Sequence, residues 1–323
     1  MTDLQTNFWE SELTTAVRPA RKPSGVASAE VRAGDAFELV RQLPRHSVDL
    51  IITSPPYWGL RTYSADHNWE IADEWAATGA TSAIPSYDWY VKHGGVLGLE
   101  PNPDWYVSYI VEFFELARSC LKPQGSIWLN IGDTYFARWA SIRDQGRQGL
   151  GDSTRKRRRV PMGDYRQEKQ LLLIPSRVAI AMQSRKWILR NDLIWHKPNV
   201  PPRPERDRLK LAHEHFFHFV HRPASGRAKY FYDISMTEPR SNDVVSVNVR
   251  AGQDDHSATF PEALIAPRIR SSCPPGGLVL DPFAGTGRAL VCAVRNGMNG
   301  IGFEKSRRFA AAATRSLQEA TKP

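Results

Sequence analysis

The run Val48-Asp49-Leu50-Ile51-Ile52 places the tightest constraint on the fold. It is apolar almost without interruption and does not alternate, which is the pattern of a strand covered on both faces, as in a parallel sheet packed between helices. Parallel strands need helical crossovers, and the flanking sequence supplies them. A strand over Glu30–Gly34 and a helix over Ala36–Leu43 precede the run. Helical spacing over Asp104–Leu121, with Asp104 as candidate N-cap, and a strand over Gly125–Ile131 follow it. A helix from Pro175 to about Lys186 leads to strands over Trp187–Lys197 and His213–His221. The last third repeats the rhythm: helix Pro261–Ser272, strand Gly277–Asp281, helix Arg288–Gly297, strand Gly300–Glu304. This alternation predicts an α/β fold with a doubly wound, mostly parallel sheet.

At 323 residues the chain can bury a large core. Residues 1–28 mix charge, Ser, Thr and Pro without periodicity and read as a flexible tail. Residues 29–323 read as one domain, with the rhythm broken by inserts at 61–103, 136–170 and 222–255. The net charge of +9 favours an acidic partner such as nucleic acid. More than half of that charge falls in 136–170, around Arg155, Lys156, Arg157, Arg158 and Arg159. A basic run alone is usually a solvated face, and it gains meaning only beside a site that needs phosphate contacts. Cys120, Cys273 and Cys292 have neither metal-site spacing nor the density of a disulfide scaffold, so a reducing compartment is expected. With no 18-residue apolar run and no basic start followed by an apolar stretch, the expectation is a soluble, cytoplasmic protein.

Two motifs carry chemistry. Leu278–Gly287 (LVLDPFAGTG) is a strand entering a glycine turn before a helix, so the backbone there can approach a ligand at a strand's carboxyl end. The glycines do not form G-x-G-x-x-G and no Lys-Ser/Thr follows, which argues against dinucleotide and P-loop sites. Glu304 ends the next strand, where a carboxylate can accept both hydroxyls of a ribose. The plain alternative is a structural turn with a surface Glu. Ser54-Pro55-Pro56-Tyr57 ends the apolar run. Pro-Pro has no amide hydrogens and offers carbonyls, so the Ser54 hydroxyl and Pro55 carbonyl are adjacent acceptors suited to the two hydrogens of a base amino group. Tyr57 adds a flat face for a base taken out of a duplex. Alone, such a Pro-Pro is most often just a turn.

Taken together and in this order, TSPPYWGL, DPFAGTG and GFE resemble the amino-group DNA methyltransferases of restriction-modification systems, in the permuted arrangement of the beta group, over about residues 29–310. The resemblance implies a Rossmann-like catalytic domain using S-adenosylmethionine. Ser54, Pro55, Pro56 and Tyr57 become the catalytic motif; Asp281, Phe283, Gly285, Thr286 and Gly287 the donor-binding loop; Glu304 the ribose ligand. Gly34-Asp35 matches the segment at the donor's adenine, and His256, Ser257, Thr259 and Phe260, within HSATFP, the segment closing over its methionine end. Target recognition falls to 222–255, shared with 61–103 and 136–170, with Arg155–Arg159 on DNA phosphates. Double-stranded DNA is the implied substrate, and a restriction endonuclease acting on the same site the implied companion. Ser at the first motif position favours N4 of cytosine over N6 of adenine. An RNA methyltransferase fits the permuted order poorly, and a non-catalytic DNA-binding regulator predicts a missing motif residue where none is missing. No Cys follows a Pro in a catalytic-looking turn, so C5-cytosine chemistry is not expected.

Other features read as ordinary structure. His213, His215, His218 and His221 do not form HExxH, because position 217 is Phe, and their alternation suggests strand packing; no metal site is expected. Trp58, Trp69, Trp75, Trp89 and Trp105 read as core. Asp192, Trp195, His196 and Lys197 border the target pocket by position alone.

Overall fold

A computed structural model describes residues 27–59, 67–136, 139–141, 157–159, 163–200, 206–237, 242–249 and 260–320. In chain order its elements are β1 (Ala29–Ala33), α1 (Ala36–Arg41), β2 (Val48–Thr53), α2 (Ile71–Ala77), α3 (Tyr87–Lys92), α4 (Pro103–Ala117), β3 (Leu121–Ile131), β4 (Trp139–Ser141), β5 (Arg157–Arg159), α5 (Ile174–Ser184), β6 (Trp187–His196), β7 (His213–His221), β8 (Val244–Ser246), α6 (Glu262–Ser272), β9 (Leu278–Asp281), α7 (Arg288–Arg295), β10 (Asn299–Glu304) and α8 (Arg307–Ala320).

Among the described residues, eight strands form one sheet in the order β1-β10-β9-β2-β3-β7-β6-β8. The first five run parallel, while β7 is antiparallel to both β3 and β6. Every residue of β2 is buried because β9 and β3 flank it and helices cover both faces. Its side chains alternate as the pleat requires: Ile51 joins the core under α1, α4 and α5, and Leu50 and Ile52 join the core under α6 and α7. β3 repeats this, with Ile127 and Leu129 on the first side and Trp128 on the second. The doubly wound α/β architecture expected from the apolar runs is therefore present.

At the sheet end away from these strands' carboxyl termini, Asp49 is 8 % exposed and joins three strands. Its Oδ2 accepts from Lys122 Nζ of β3 at 2.7 Å and from the Leu278 amide at the start of β9 at 2.9 Å. That explains the one charged residue in β2.

Some boundaries differ from expectation. α4 starts one residue early, because Asn102 rather than Asp104 is its N-cap: Asn102 Oδ1 accepts from the Asp104 and Trp105 amides at 3.0 and 3.1 Å, and Pro103 takes the first helical position. Asp104 lies in the first turn and accepts from the Tyr165 hydroxyl at 2.7 Å. Within 61–103 the chain forms α2 and α3. Trp58 and Trp105 belong to the main core, and Trp75 meets Trp89 edge-on at 4.9 Å. His218 stacks flat on Trp128 at 4.5 Å, as a packing residue does. The basic run enters β5, which pairs antiparallel with β4, and β8 adds to the edge of β6. Residues 1–26 of the expected tail lie outside the described residues. No helix among the described residues is long and apolar enough to cross a membrane.

Candidate active site

The carboxyl ends of β1, β10, β9, β2 and β3 open on one cavity of about 1020 Å³. Sheet order explains which motifs meet there. β2 and β9 are neighbours although more than two hundred residues separate them in sequence, so Ser54–Tyr57 and Asp281–Gly285 lie side by side on its wall. Asp35, Phe260, Thr286 and Glu304 line the same cavity. Gly287 forms the N-cap of α7 instead. His256, Ser257 and Thr259 lie outside the described residues, as do Arg155 and Lys156. The backbone of Arg157, Arg158 and Arg159 forms β5.

On the glycine-turn side, Asp281 is 3 % exposed, and its Oδ1 accepts from Thr53 Oγ1 at 2.7 Å and the Phe283 amide at 3.2 Å. Burial pushes its carboxyl up to about 7 against those two hydrogen bonds, and the nearby Glu304 charge adds to the rise. Glu304 is fixed by both oxygens: Oε2 accepts from the Gly285 amide at 2.9 Å, and Oε1 from the Ser306 amide at 2.7 Å. Burial raises its carboxyl too. Each oxygen keeps lone pairs beyond the one used, so the carboxylate is oriented but not saturated. Gly285 sits at φ +53°, and a Cβ there would meet no atom within 4 Å, so the backbone offers itself to the cavity. Phe283 packs on Phe113 with ring centroids 5.2 Å apart and also faces the cavity. Asp35 is more occupied than its motif suggests. Its Oδ1 caps α1 through the Phe37 amide at 2.9 Å, while Oδ2 receives Tyr87 Oη at 3.1 Å and Lys305 Nζ at 3.2 Å.

On the SPPY side, Ser54 Oγ donates to Tyr57 Oη at 3.2 Å. Tyr57 Oη in turn reaches Glu214 Oε2 at 2.7 Å and Asn130 Oδ1 at 3.0 Å. The Asn130 amide is oriented by its Nδ2, which donates to the His215 carbonyl at 3.0 Å. Gly132 has no side chain because a Cβ there would lie 2.8 Å from Tyr57 Cε2, so the tyrosine ring fills that space. Glu214 pairs with Lys197, and both are largely buried. Burial and the Glu214 charge hold the Tyr57 phenol well above its ordinary range. Asp133, after β3, uses Oδ1 to accept from the Thr134 and Ile174 amides at 2.8 and 3.0 Å and so anchors the start of α5.

Of Asp192, Trp195, His196 and Lys197, expected at the pocket's border by position, Trp195 and Lys197 line the cavity and Asp192 and His196 do not, while Asn130, Asp133 and Glu214 line it without having been expected. Asn130 and Asp133 carried a usable signal, since polar residues closing a buried strand obey the same rule that singled out Ser54.

A family model described as DNA methylase matches residues 48–315. The chain belongs to the DNA methylase family. It is 33% identical over 300 residues to the type II methyltransferase M.SmaI of Serratia marcescens, covering 90% of this chain and 91% of that one. Two solved structures share the fold. The PvuII DNA methyltransferase, described as cytosine-N4-specific, aligns with a TM-score of 0.62 and 19% identity over 94% of each chain. A modification methylase of Thermus thermophilus, complexed with S-adenosyl-L-methionine, aligns with a TM-score of 0.56 and 19% identity over 92% of this chain and 98% of that one. The enzyme is thus a DNA methyltransferase of the beta-group, amino-methylating type that depends on S-adenosylmethionine. Its cavity suits that donor: an oriented carboxylate at Glu304, an aromatic wall at Phe283 and an open backbone at Gly285.

Proposed function

We propose that this methyltransferase acts on N4 of cytosine in duplex DNA and protects the sites it modifies from a companion restriction endonuclease. The observation that carries the choice of chemistry is Ser54. Its hydroxyl proton is turned toward Tyr57, which leaves its lone pairs free beside Pro55 on the wall shared with Gly285 and Glu304. Ser, rather than Asp or Asn, before Pro-Pro-Tyr supports cytosine as the base.

The amino nitrogen of cytosine is conjugated with its ring and attacks poorly until its lone pair is released. Ser54 and the Pro55 carbonyl hold the amino hydrogens so that the nitrogen can become tetrahedral. The donor's sulfonium supplies the methyl group. Glu304 holds its ribose, Phe283 and the Gly285 backbone enclose it, and Asp281 steadies the loop that carries both. The rate gain is mainly one of orientation and electrostatic fit, with no covalent bond to the protein. A base in a stacked duplex cannot reach this cavity, so the target is flipped out of the helix. The basic stretch around Arg155–Arg159 contacts phosphates along the flanking duplex. HSATFP closes over the donor.

Ser54→Ala tests the assignment. The variant is expected to bind S-adenosylmethionine as tightly as the wild type and to lose about 100-fold or more in turnover on DNA. Unchanged methylation would remove Ser54 from the chemistry.

A further inference from the structure

Glu214 lies outside the SPPY, DPFAGTG, GFE and HSATFP segments, yet it terminates a line of hydroxyl groups beginning at Ser54. The line runs from Ser54 Oγ to Tyr57 Oη at 3.2 Å, and from Tyr57 Oη to Glu214 Oε2 at 2.7 Å. Hydrogen-bond valence gives it a direction. As the carboxylate partner of the Lys197 ammonium, Glu214 has no proton to give, so the single Tyr57 proton points to it. Asn130 Oδ1 is the competing acceptor at 3.0 Å, but it is neutral and farther. With its proton committed, Tyr57 Oη can only accept from Ser54. Ser54 in turn can only accept from whatever enters the cavity. A carboxylate on the antiparallel strand β7 therefore decides that the catalytic serine meets an amine as an acceptor rather than a donor.

We propose that Glu214 is a positioning residue for methyl transfer: through Tyr57 it holds Ser54 as an acceptor for the target amine and takes up the proton that the amine releases. This rests on the reading of Ser54 as the residue that contacts the amine. In the step, the amine nitrogen forms a bond to the methyl carbon as the carbon–sulfur bond breaks, and the sulfur keeps that electron pair. The nitrogen passes one proton to Ser54 Oγ, Ser54 passes its own to Tyr57 Oη, and Tyr57 passes its own to Glu214 Oε2. The products are a neutral methylamino base, a neutral thioether and a protonated Glu214, which later returns its proton to water in the cavity. Tyr57 takes part as a phenol throughout, in keeping with a hydroxyl held above its ordinary range by burial. Lys197, its ion-pair partner, aims the carboxylate. The motif thus works only when β7 is docked against β3, in the register that pairs Ile131 with His215.

The test is turnover with labelled S-adenosylmethionine and mixed-sequence duplex DNA, with donor affinity measured by calorimetry. Wild type is compared with Ser54→Ala, Tyr57→Phe, Glu214→Gln and the double variant Tyr57→Phe/Glu214→Gln. Glu214→Gln and Tyr57→Phe are each expected to lower kcat by about 100-fold, with DNA KM and donor Kd within about twofold of wild type. Because both act on one line, the double variant is expected to be no slower than the slower single variant. A Glu214→Gln enzyme with kcat within about threefold of wild type, or losses that multiply in the double variant, would overturn the proposal. Glu214→Gln leaves Lys197 buried without its partner, so Glu214→Gln/Lys197→Met is measured as well. That variant is expected to stay slow, and a return to wild-type kcat would assign the loss to the orphaned cation instead. If Ser54→Ala is inactive while Glu214→Gln is fully active, the relay alone fails. If Ser54→Ala is fully active, the reading beneath it fails too.

Discussion

Thr53 Oγ1 donates to Asp281 Oδ1 at 2.7 Å, and this buried bond joins the residue before the SPPY motif to the first residue of the DPFAGTG turn. The two lie 228 positions apart in sequence and next to each other in the sheet. Neither is more than 3 % exposed, so the bond has no water to compete with it. Thr53→Val keeps the shape and removes the donor. It is expected to lower stability by about 1–2 kcal/mol in urea unfolding. It should also cut turnover more than donor affinity, since it loosens the registration of the two loops. A variant equal to wild type in both would show that the strands alone set that registration.

Asp281 also gives a pH prediction. Burial raises its carboxyl up to about 7, above the unfolded value. The folded state therefore holds this proton where the unfolded state has lost it. Asp281's contribution to stability falls as pH rises from about 4 to about 7 and is flat beyond. A positively charged donor bound nearby favours the ionised form. Donor affinity is therefore expected to rise between pH of about 6 and 8, with proton uptake by the buffer seen in calorimetry. Affinity independent of pH across that range would place the donor's charge away from Asp281.

The fold and half of the candidate site are legible in the sequence for one physical reason. β2 and β9 are central strands, so their sequences are apolar with few interruptions, and the residues closing them face the cavity. Strand order is not written in such runs. Nothing local in HEHFFHFVH announces that β7 is antiparallel and brings its first residues, not its last, to the rim, so Glu214 was passed over together with the truly packed His218. Asp35 lines the cavity, and its carboxylate also caps α1 and accepts from Tyr87 and Lys305, partners that no local sequence pattern announces. α8 went unread because its buried stripe is Ala310, Ala313 and Leu317, too small to stand out as hydrophobic.

A substitution at Gly285 tests the proposed donor site separately from folding. Gly285→Trp introduces a side chain where a Cβ now meets nothing within 4 Å and fills the space meant for ligand. Its left-handed backbone costs a non-glycine residue about 1–3 kcal/mol, so a modest loss in melting temperature is expected. Donor affinity should fall beyond detection in calorimetry. Tight binding by a folded variant would move the donor site away from this loop.

The strand β5, paired with β4, consists of three consecutive arginines. If each contacts a phosphate, replacing Arg157, Arg158 and Arg159 by Gln lowers the slope of log affinity against log salt by about 3. Affinity should weaken equally for all DNA sequences. An unchanged slope, measured by anisotropy over a salt series, would make the strand a bystander.

The cavity is proposed to methylate an exocyclic amine, N4 of cytosine. Mixed-sequence duplex DNA incubated with labelled S-adenosylmethionine, digested to nucleosides and resolved by mass tests it directly. Label is expected in N4-methylcytosine, and Ser54→Ala is expected to abolish it. Label in N6-methyladenine would keep the mechanism and contradict the choice of base drawn from Ser54, and label in 5-methylcytosine would contradict the chemistry itself.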